Sequence, residues 1–240
     1  MNNEADIRSA LPRHIGLIMD GNGRWAAAKG KARSYGHRAG VSALRSIISH
    51  CGDLGIEYVT VYAFSTENFK RSSDEVGTLM ALLSDFLTND LDFIIGKNVR
   101  LRAIGETERF SAMLAKQIRR AEERSKNCTK MTLNIALAYG SRAELVRAAR
   151  ILAQKAVSGE IKPEDITQEM LAEQLYTGGE PDPDLIIRTS GEMRLSNFML
   201  YQAAYSELYF TPVLWPDFTP EELDKAIEDY RGRTRRFGGV

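Results

Sequence analysis

The stretch His14-Ile15-Gly16-Leu17-Ile18-Met19-Asp20-Gly21-Asn22-Gly23-Arg24-Trp25 decides the fold. Ile15 to Met19 is a short apolar run that stops in an acid, two glycines and an arginine. Such a run reads as a buried strand opening into a polar turn. Asp20 then stands at the carboxyl end of a strand, where open α/β sheets bind their ligands. Gly21 and Gly23 let backbone amides approach a ligand, and Arg24 adds a charge that no ordinary pH removes. A carboxylate beside an arginine suits a phosphate that arrives with a divalent metal. The metal takes the acid, and the phosphate takes the guanidinium and the amides.

Gly21 to Ala26 also fits the loose dinucleotide fingerprint G-x-G-x-x-A. Two mismatches count against that rival. Asp20 would face a pyrophosphate with no metal between them. The next apolar strand, Tyr58 to Phe64, ends much further on than the roughly 20 residues at which a ribose-binding acid is due. The plain alternative is an ordinary strand and turn with a surface aspartate.

The 240 residues suffice for one full core, and the 32 basic and 32 acidic residues cancel. A neutral chain has no general pull toward nucleic acid. The two cysteines, Cys51 and Cys128, suggest neither a disulfide framework nor a metal knuckle, so a reducing compartment is expected. Met1 to Arg13 is a polar, flexible segment without a secretion core, and no apolar run is long enough to span a membrane. A peripheral membrane contact stays open.

Downstream, Lys29, Lys31 and Arg33 follow the Asp20 turn, as a solvated face or a phosphate-facing one, and Gly36 and Gly40 bracket His37. Val41, Leu44, Ile47 and Ile48 predict a helix over Arg38 to Asp53, stopped by Gly55. The strand Tyr58–Phe64 ends in Ser65-Thr66-Glu67-Asn68-Phe69-Lys70-Arg71. Ser72 and Glu75 fit a capping box. The helix from Glu75 to about Ile95 has an apolar face wider than one sheet contact requires. It is either a central or interface helix or the wall of a hydrophobic tunnel. Helical spacing does not say whether small Ala81 faces such a tunnel.

Val99–Ile104, Lys130–Ala138, Asp184–Ile187 and Leu208–Phe210 read as further strands. Thr107–Ser125, Glu144–Ala156, Thr167–Tyr176 and a last helix from Thr219-Pro220 to about Tyr230 alternate with them. The alternation predicts an α/β domain with a mostly parallel sheet flanked by helices. Its strand ends carry Asp20, Arg24, Asn68, Arg71, Arg142, Arg188 and Arg194. So many arginines on one edge of a neutral protein imply an anion with more than one phosphate. No Ser-His-acid set is suggested, His14, His37 and His50 lack metal-ligand spacing, and no P-loop is present. Phosphate groups beside a wide apolar helix point to a pyrophosphate head on a greasy tail. The basic tail from Arg231 is either solvated or a backbone turn for an anion.

From His14 to Gly239 the chain resembles the cis-prenyltransferase family, in its bacterial, undecaprenyl-pyrophosphate-making branch. The resemblance rests on His14–Ala26, Gly36-His37, Tyr62–Asn68, Asp182–Phe198, Ala204–Phe218 and Arg235–Gly239. It implies a homodimeric α/β enzyme with a hydrophobic tunnel. That enzyme uses Mg2+ to condense successive isopentenyl pyrophosphates onto farnesyl pyrophosphate with cis double bonds. The long polyprenyl product serves the membrane as the carrier of cell-wall precursors, which implies a cytoplasmic enzyme with a peripheral contact at the inner face.

Residue by residue, the resemblance makes Asp20 catalytic and magnesium-handling, with Glu207 as a second metal residue. Gly21, Asn22, Gly23, Arg24, Trp25, Arg33 and His37 would surround the allylic pyrophosphate. Ser65, Thr66, Glu67, Phe69 and Arg71 would line the reaction centre around catalytic Asn68. Arg188, Arg194 and Ser196 would grip isopentenyl pyrophosphate. Residues 14–230 would be the catalytic domain, and the tail 231–240, with Arg236 and Gly238, would complete the partner subunit's site. Phe69, Ser72 and Ala138 depart from the family's usual tryptophan, proline and asparagine. The proton acceptor is left open between the pyrophosphate and a carboxylate.

Overall fold

Ile15 and Leu17 of the first strand join one apolar layer, while Ile18 joins the other and Gly16 faces Ile186 and Phe198 there. This alternation places the strand in the middle of a sheet covered on both faces. The computed structural model describes residues 11–233. Its sheet comprises β1 (His14–Ile18), β2 (Tyr58–Ser65), β3 (Val99–Ile104), β4 (Met131–Tyr139), β5 (Leu185–Arg188) and β6 (Glu207–Phe210). The spatial order is β3-β4-β2-β1-β5-β6, and every pairing is parallel. All carboxyl ends therefore lie on one edge. The helices are α1 (Asn22–Ala28), α2 (Arg33–Leu54), α3 (Ser73–Asp85), α4 (Leu91–Gly96), α5 (Ala112–Ser125), α6 (Ser141–Val157), α7 (Gln168–Glu173) and α8 (Pro220–Arg231).

Three local readings of the sequence are corrected. The turn after Asp20 is no loose glycine loop, because α1 begins at Asn22. Gly21 caps it with φ 106°, and a Cβ there would lie 2.8 Å from Leu214 Cδ2. The helix expected from Arg38 instead starts at Arg33, so α2 runs through both Gly36 and Gly40. They act as contact points: a Cβ on Gly36 would stand 2.0 Å from the Asn22 carbonyl oxygen. Finally, the expected helix beyond Glu75 is broken by a π turn at Phe86–Asp90 between α3 and α4, where buried Asp90 pairs with Arg45 of α2. Such single π turns mark places where helix register is adjusted for a neighbour or a site.

A polar seam crosses the sheet interior. Thr60, Asn134 and Arg102 share one rung of β2, β4 and β3. His14 Nδ1 donates to the Pro181 carbonyl at 2.7 Å, so Nε2 accepts from the Thr60 hydroxyl at 2.7 Å. Asn134 donates to Glu180 at 2.6 Å, and Arg102 pairs with the same carboxylate. Burial pushes His14 down to about 4, so it is neutral in the folded chain. Cys51 and Cys128 are both free, and among the described residues no helix is long and apolar enough to cross a membrane.

Candidate active site

At the carboxyl edge, β1 leads to Asp20, β2 to Ser65, Glu67 and Asn68, β4 to Arg142, and β5 to Arg188 and Asn197. These residues line a cleft of about 680 Å³, together with His37, Asn22, Arg71, Arg194 and Ser196. Asp20 is half-buried at its floor. Its Oδ2 accepts from Arg188 at 3.0 Å, and its Oδ1 accepts from the Gly21 N–H at 2.7 Å. Burial alone would push this carboxyl up. The hydrogen bonds from Arg188 and Ser190, the Arg188 charge and the Gly21 amide outweigh it, and Asp20 lies below the usual carboxylate range. Thr189 fixes the backbone on both sides of the acid, accepting from Asp20 N–H at 3.0 Å and donating to its carbonyl at 2.7 Å.

Arg188 is 4 % exposed and also donates to Ser196 Oγ at 2.7 Å and to the Arg194 carbonyl. Its Nε has no partner, nor do Asn22 Oδ1 and His37 Nε2, although all three atoms are buried. Buried polar atoms left unpaired at one cleft are available to the polar groups of a ligand. The α1 amides of Asn22, Gly23 and Arg24 precede the first bond of that helix, from Trp25 N–H to the Gly21 carbonyl at 2.9 Å, and have no partner within it. Burial, then the charges of Arg33 and Arg71, hold His37 down to about 4. Asn68 Oδ1 accepts from Ser65 N–H at 3.0 Å, which folds the Ser65–Arg71 turn back on itself. Ser190, Ser196, Asn197 and Met199 all adopt positive φ. Backbone held this way over a short loop is stored strain of the kind found at ligand clamps.

The structure does not gather every residue named from the sequence. Trp25 stacks on Tyr35 at 5.6 Å and donates to Asp217 at 2.7 Å, outside the cleft lining. Phe69 turns inward against Phe64 at 4.9 Å, and Thr66 bonds to Glu67 at 3.1 Å. Arg24 reaches Ser190 Oγ at 2.5 Å and Glu192 at 3.7 Å. Glu207 does not meet Asp20 within the chain. It opens β6 in register with Leu185, three rungs before Arg188, and its carboxylate pairs with Arg233 at 2.7 Å. Arg236 and Gly238 lie outside the described residues.

Other side chains were missed. Glu75 binds Arg33 at 3.3 Å and Arg71 at 2.5 Å, a bridge between two cationic residues of the rim. Its place three residues after Ser72 is that of a capping glutamate. Its N–H does take the cap from Ser72 at 3.4 Å, but its carboxylate faces the arginines. Asn197 ties three loops. Its Oδ1 accepts from Arg142 N–H at 2.9 Å, its carbonyl accepts from Ser141 N–H at 2.8 Å, and its Nδ2 donates to Glu67 at 3.0 Å. Nothing local marks an asparagine as a three-way tie, because its partners are 55 and 130 residues away.

Below the cleft, between α2, α3 and the sheet, lies an apolar cavity of about 110 Å³. It shares Met19, Asn22, His37, Ala63 and Leu79 with the cleft, and Leu44, Leu83 and Leu137 line its interior. Ala81 is exposed and does not line this cavity.

No group of three or more metal-binding side chains gathers among the described residues. One carboxylate ringed by cationic groups still suits magnesium. That ion dehydrates reluctantly, and it is commonly held by one or two carboxylates plus the phosphates of a substrate.

Comparisons with known proteins agree with this geometry. Residues 18–238 match the prenyltransferase family model described as "Putative undecaprenyl diphosphate synthase". The isoprenyl transferase of Heliobacterium mobile is 50 % identical over 230 residues, covering 96 % of this chain and 88 % of that one. The isoprenyl transferase of Brucella abortus is 53 % identical over 229 residues, covering 95 % and 90 %. The crystal structure of lavandulyl diphosphate synthase from Lavandula x intermedia, in complex with dimethylallyl diphosphate, superposes with a TM-score of 0.94 at 39 % identity, covering 96 % of this chain and 100 % of that one.

Proposed function

The chain belongs to the cis-prenyltransferase family and is an isoprenyl transferase; from that premise we propose that it adds successive isopentenyl pyrophosphates to farnesyl pyrophosphate with magnesium. The observation that carries this reading is the shared wall. An arginine-rich cleft and an apolar cavity meet at Met19, Asn22, His37, Ala63 and Leu79. A ligand with a charged head and a hydrocarbon tail fits that junction, and a dinucleotide does not.

In this reading Asn22, Gly23, Arg24, Arg33 and His37 hold the allylic pyrophosphate, its tail entering the cavity. Arg188, Arg194 and Ser196 hold isopentenyl pyrophosphate. The allylic C–O bond breaks as the isopentenyl double bond attacks that carbon, and the adduct then loses a proton. Arginines and backbone amides stabilise the leaving charge, because they are aimed before it develops. Asp20, with the phosphates, would hold magnesium, and the bound ion would supply further neutralisation of that charge. Neutral His37 donates or accepts one hydrogen bond without adding charge to the cleft. Asn68, set by its bond to Ser65, orients the reacting ends. The proton leaves to the pyrophosphate or to a carboxylate.

The same reading gives a cytoplasmic homodimer in which residues 14–230 form the catalytic domain. The tail, through Arg236 and Gly238, completes the partner's site. Its C55 product, undecaprenyl pyrophosphate, passes to the membrane as precursor of the cell-wall lipid carrier.

The test is turnover with each component omitted in turn. Pyrophosphate release is expected only when allylic pyrophosphate, isopentenyl pyrophosphate and magnesium are all present. Binding without condensation would leave a lipid-phosphate binding module, and a nicotinamide absorbance change would leave an oxidoreductase.

A further inference from the structure

Helix α3 separates two apolar hollows. On its inner side is the cavity described above. On its outer side, between α3 and α5, an open groove of about 460 Å³ runs over Phe69, Val76, Ala81, Phe110, Met113 and Leu114. Among the described residues one side chain lines both hollows, that of Met80.

The helical positions explain why. At about 100° per residue, Leu79, Leu82, Leu83 and Phe86 share one arc, Ala81, Ser84 and Asp85 share the opposite one, and Met80 falls on the seam. The lining residues of the two hollows divide in the same way except Val76, one turn before Met80, which opens on the groove. The partition beside Met80 consists of aromatic rings. Phe64, on the inner cavity, lies 4.9 Å from Phe69 and 5.9 Å from Phe110, which both line the groove. A methionine is unbranched and swings through several rotamers, and a thioether breaks no strong hydrogen bond when it moves.

The groove also says what it can hold. Its cation, Arg109, is already paired with Glu106 at 3.1 Å and lies over the Phe69 ring at 4.2 Å. Ser84 donates to Gln117 at 3.0 Å across the groove, so those polar groups satisfy each other. What is left, beside exposed Asp85 and the Ser111 hydroxyl that caps Leu114 N–H, is apolar side-chain surface, suited to a neutral hydrocarbon, and the Asp85 carboxylate repels a second phosphate head. The inner cavity has about a quarter of the groove's volume.

We propose that the growing isoprenoid chain passes Met80 and lays its distal units in the α3–α5 groove. The groove is then a second product-binding site, and Met80 is the side chain that decides whether elongation stops or continues. This inference rests on the isopentenyl-transfer reading given above.

The experiment measures the lengths of dephosphorylated products by reversed-phase chromatography, with melting temperature as the control for folding. Ala81→Trp plugs the groove from an exposed position. Met113→Trp does so from α5, where Met113 is 71 % exposed and a larger side chain has room. Both are expected to cut the longest product at least fivefold and to slow late additions relative to the first. Met80→Ala is expected to shift the distribution toward longer chains. Wild-type product lengths in both tryptophan variants overturn the groove and leave the transfer reaction standing. A wild-type protein that forms no condensation product overturns the reaction, and the groove with it.

Discussion

Asn197 donates its side-chain amide to Glu67 at 3.0 Å, joining the loop after β5 to the turn after β2. Through the same residue α6 is fixed to both, by way of Ser141 and Arg142. The position of Asn68 relative to Arg194 and Ser196 thus depends on this donor together with the Tyr62 hydroxyl, which donates to the Ser196 carbonyl at 3.3 Å. Asn197→Asp keeps the acceptor for Arg142 but sets a carboxylate against Glu67. We expect kcat/KM to fall by about 10²-fold, the scale of a misplaced reacting group. Glu67→Gln in the same chain restores a donor–acceptor pair with its direction reversed, and part of the activity should return. Initial rates of the two single variants and the double variant check this, and the absence of any rescue refutes the tie.

Asp20→Ala is expected to keep its fold and to lose about 10²–10³-fold in kcat, as when a preorganised charge-stabilising group is removed. Arg194→Ala should instead raise KM for isopentenyl pyrophosphate more than it lowers kcat, because it removes a grip formed before reaction. Steady-state kinetics with each substrate varied separates the two. Equal effects on both parameters in both variants contradict the assigned roles.

Stability should fall as the solution is acidified below neutrality, well before the carboxylates titrate. His14 is buried neutral, with its folded value near 4. In the unfolded chain it takes up a proton below about 6.5. Between those two values the unfolded state binds more protons, so stability is lost as pH falls, by about 1.4 kcal/mol per pH unit for this one residue. His37 adds in the same direction. Asp20 acts in the same direction at lower pH, its stability present above the ordinary aspartate value and lost as pH falls through its depressed folded one. Urea unfolding at pH 7, 6 and 5 reads the slope. A flat profile over that range contradicts a neutral His14.

Gly36→Ala is expected to destabilise despite the better helix propensity of alanine, worth about 1 kcal/mol in a helix interior. The added methyl meets the Asn22 carbonyl oxygen at 2.0 Å, and backbone does not yield as a side chain does. We expect a net loss of about 2 kcal/mol, within the usual range for overpacking. Activity should fall further than stability, since α1 carries Asn22, Gly23 and Arg24. Thermal unfolding and turnover of the same preparation compare the two.

Much of this architecture could be read from residue order because its signals are local. Apolar runs of strand length, such as Ile15–Met19 and Tyr58–Phe64, alternate with helical spacing, and each ends in polar residues. The arginines followed those ends, so their convergence was implied once the strands were taken as parallel. What stayed hidden depends on tertiary approach. Gly36 looks like a helix breaker until the Asn22 carbonyl is seen against it. Glu75 looks like a cap until Arg33 and Arg71 are seen on either side. Ala81 could have faced any direction, since a wide apolar arc conceals where the helix axis lies, and it lines the outer groove. Glu207 was placed by resemblance, and its register on β6 is a property of the sheet that no short motif encodes.

The strand order also governs how a newly made chain reaches activity. β1 emerges from the ribosome first, yet one of its two neighbours is β5, and Asp20 meets Arg188 across 168 residues. Until the last quarter of the polypeptide has been synthesised, β1 has one open edge in a segment meant for burial on both sides. Non-local parallel pairing of this kind is slow to form and exposed to aggregation while it waits. A nascent or truncated product ending before β5 therefore has most of its hydrophobic segments and no substrate cleft, which makes it a natural client for chaperones and proteases.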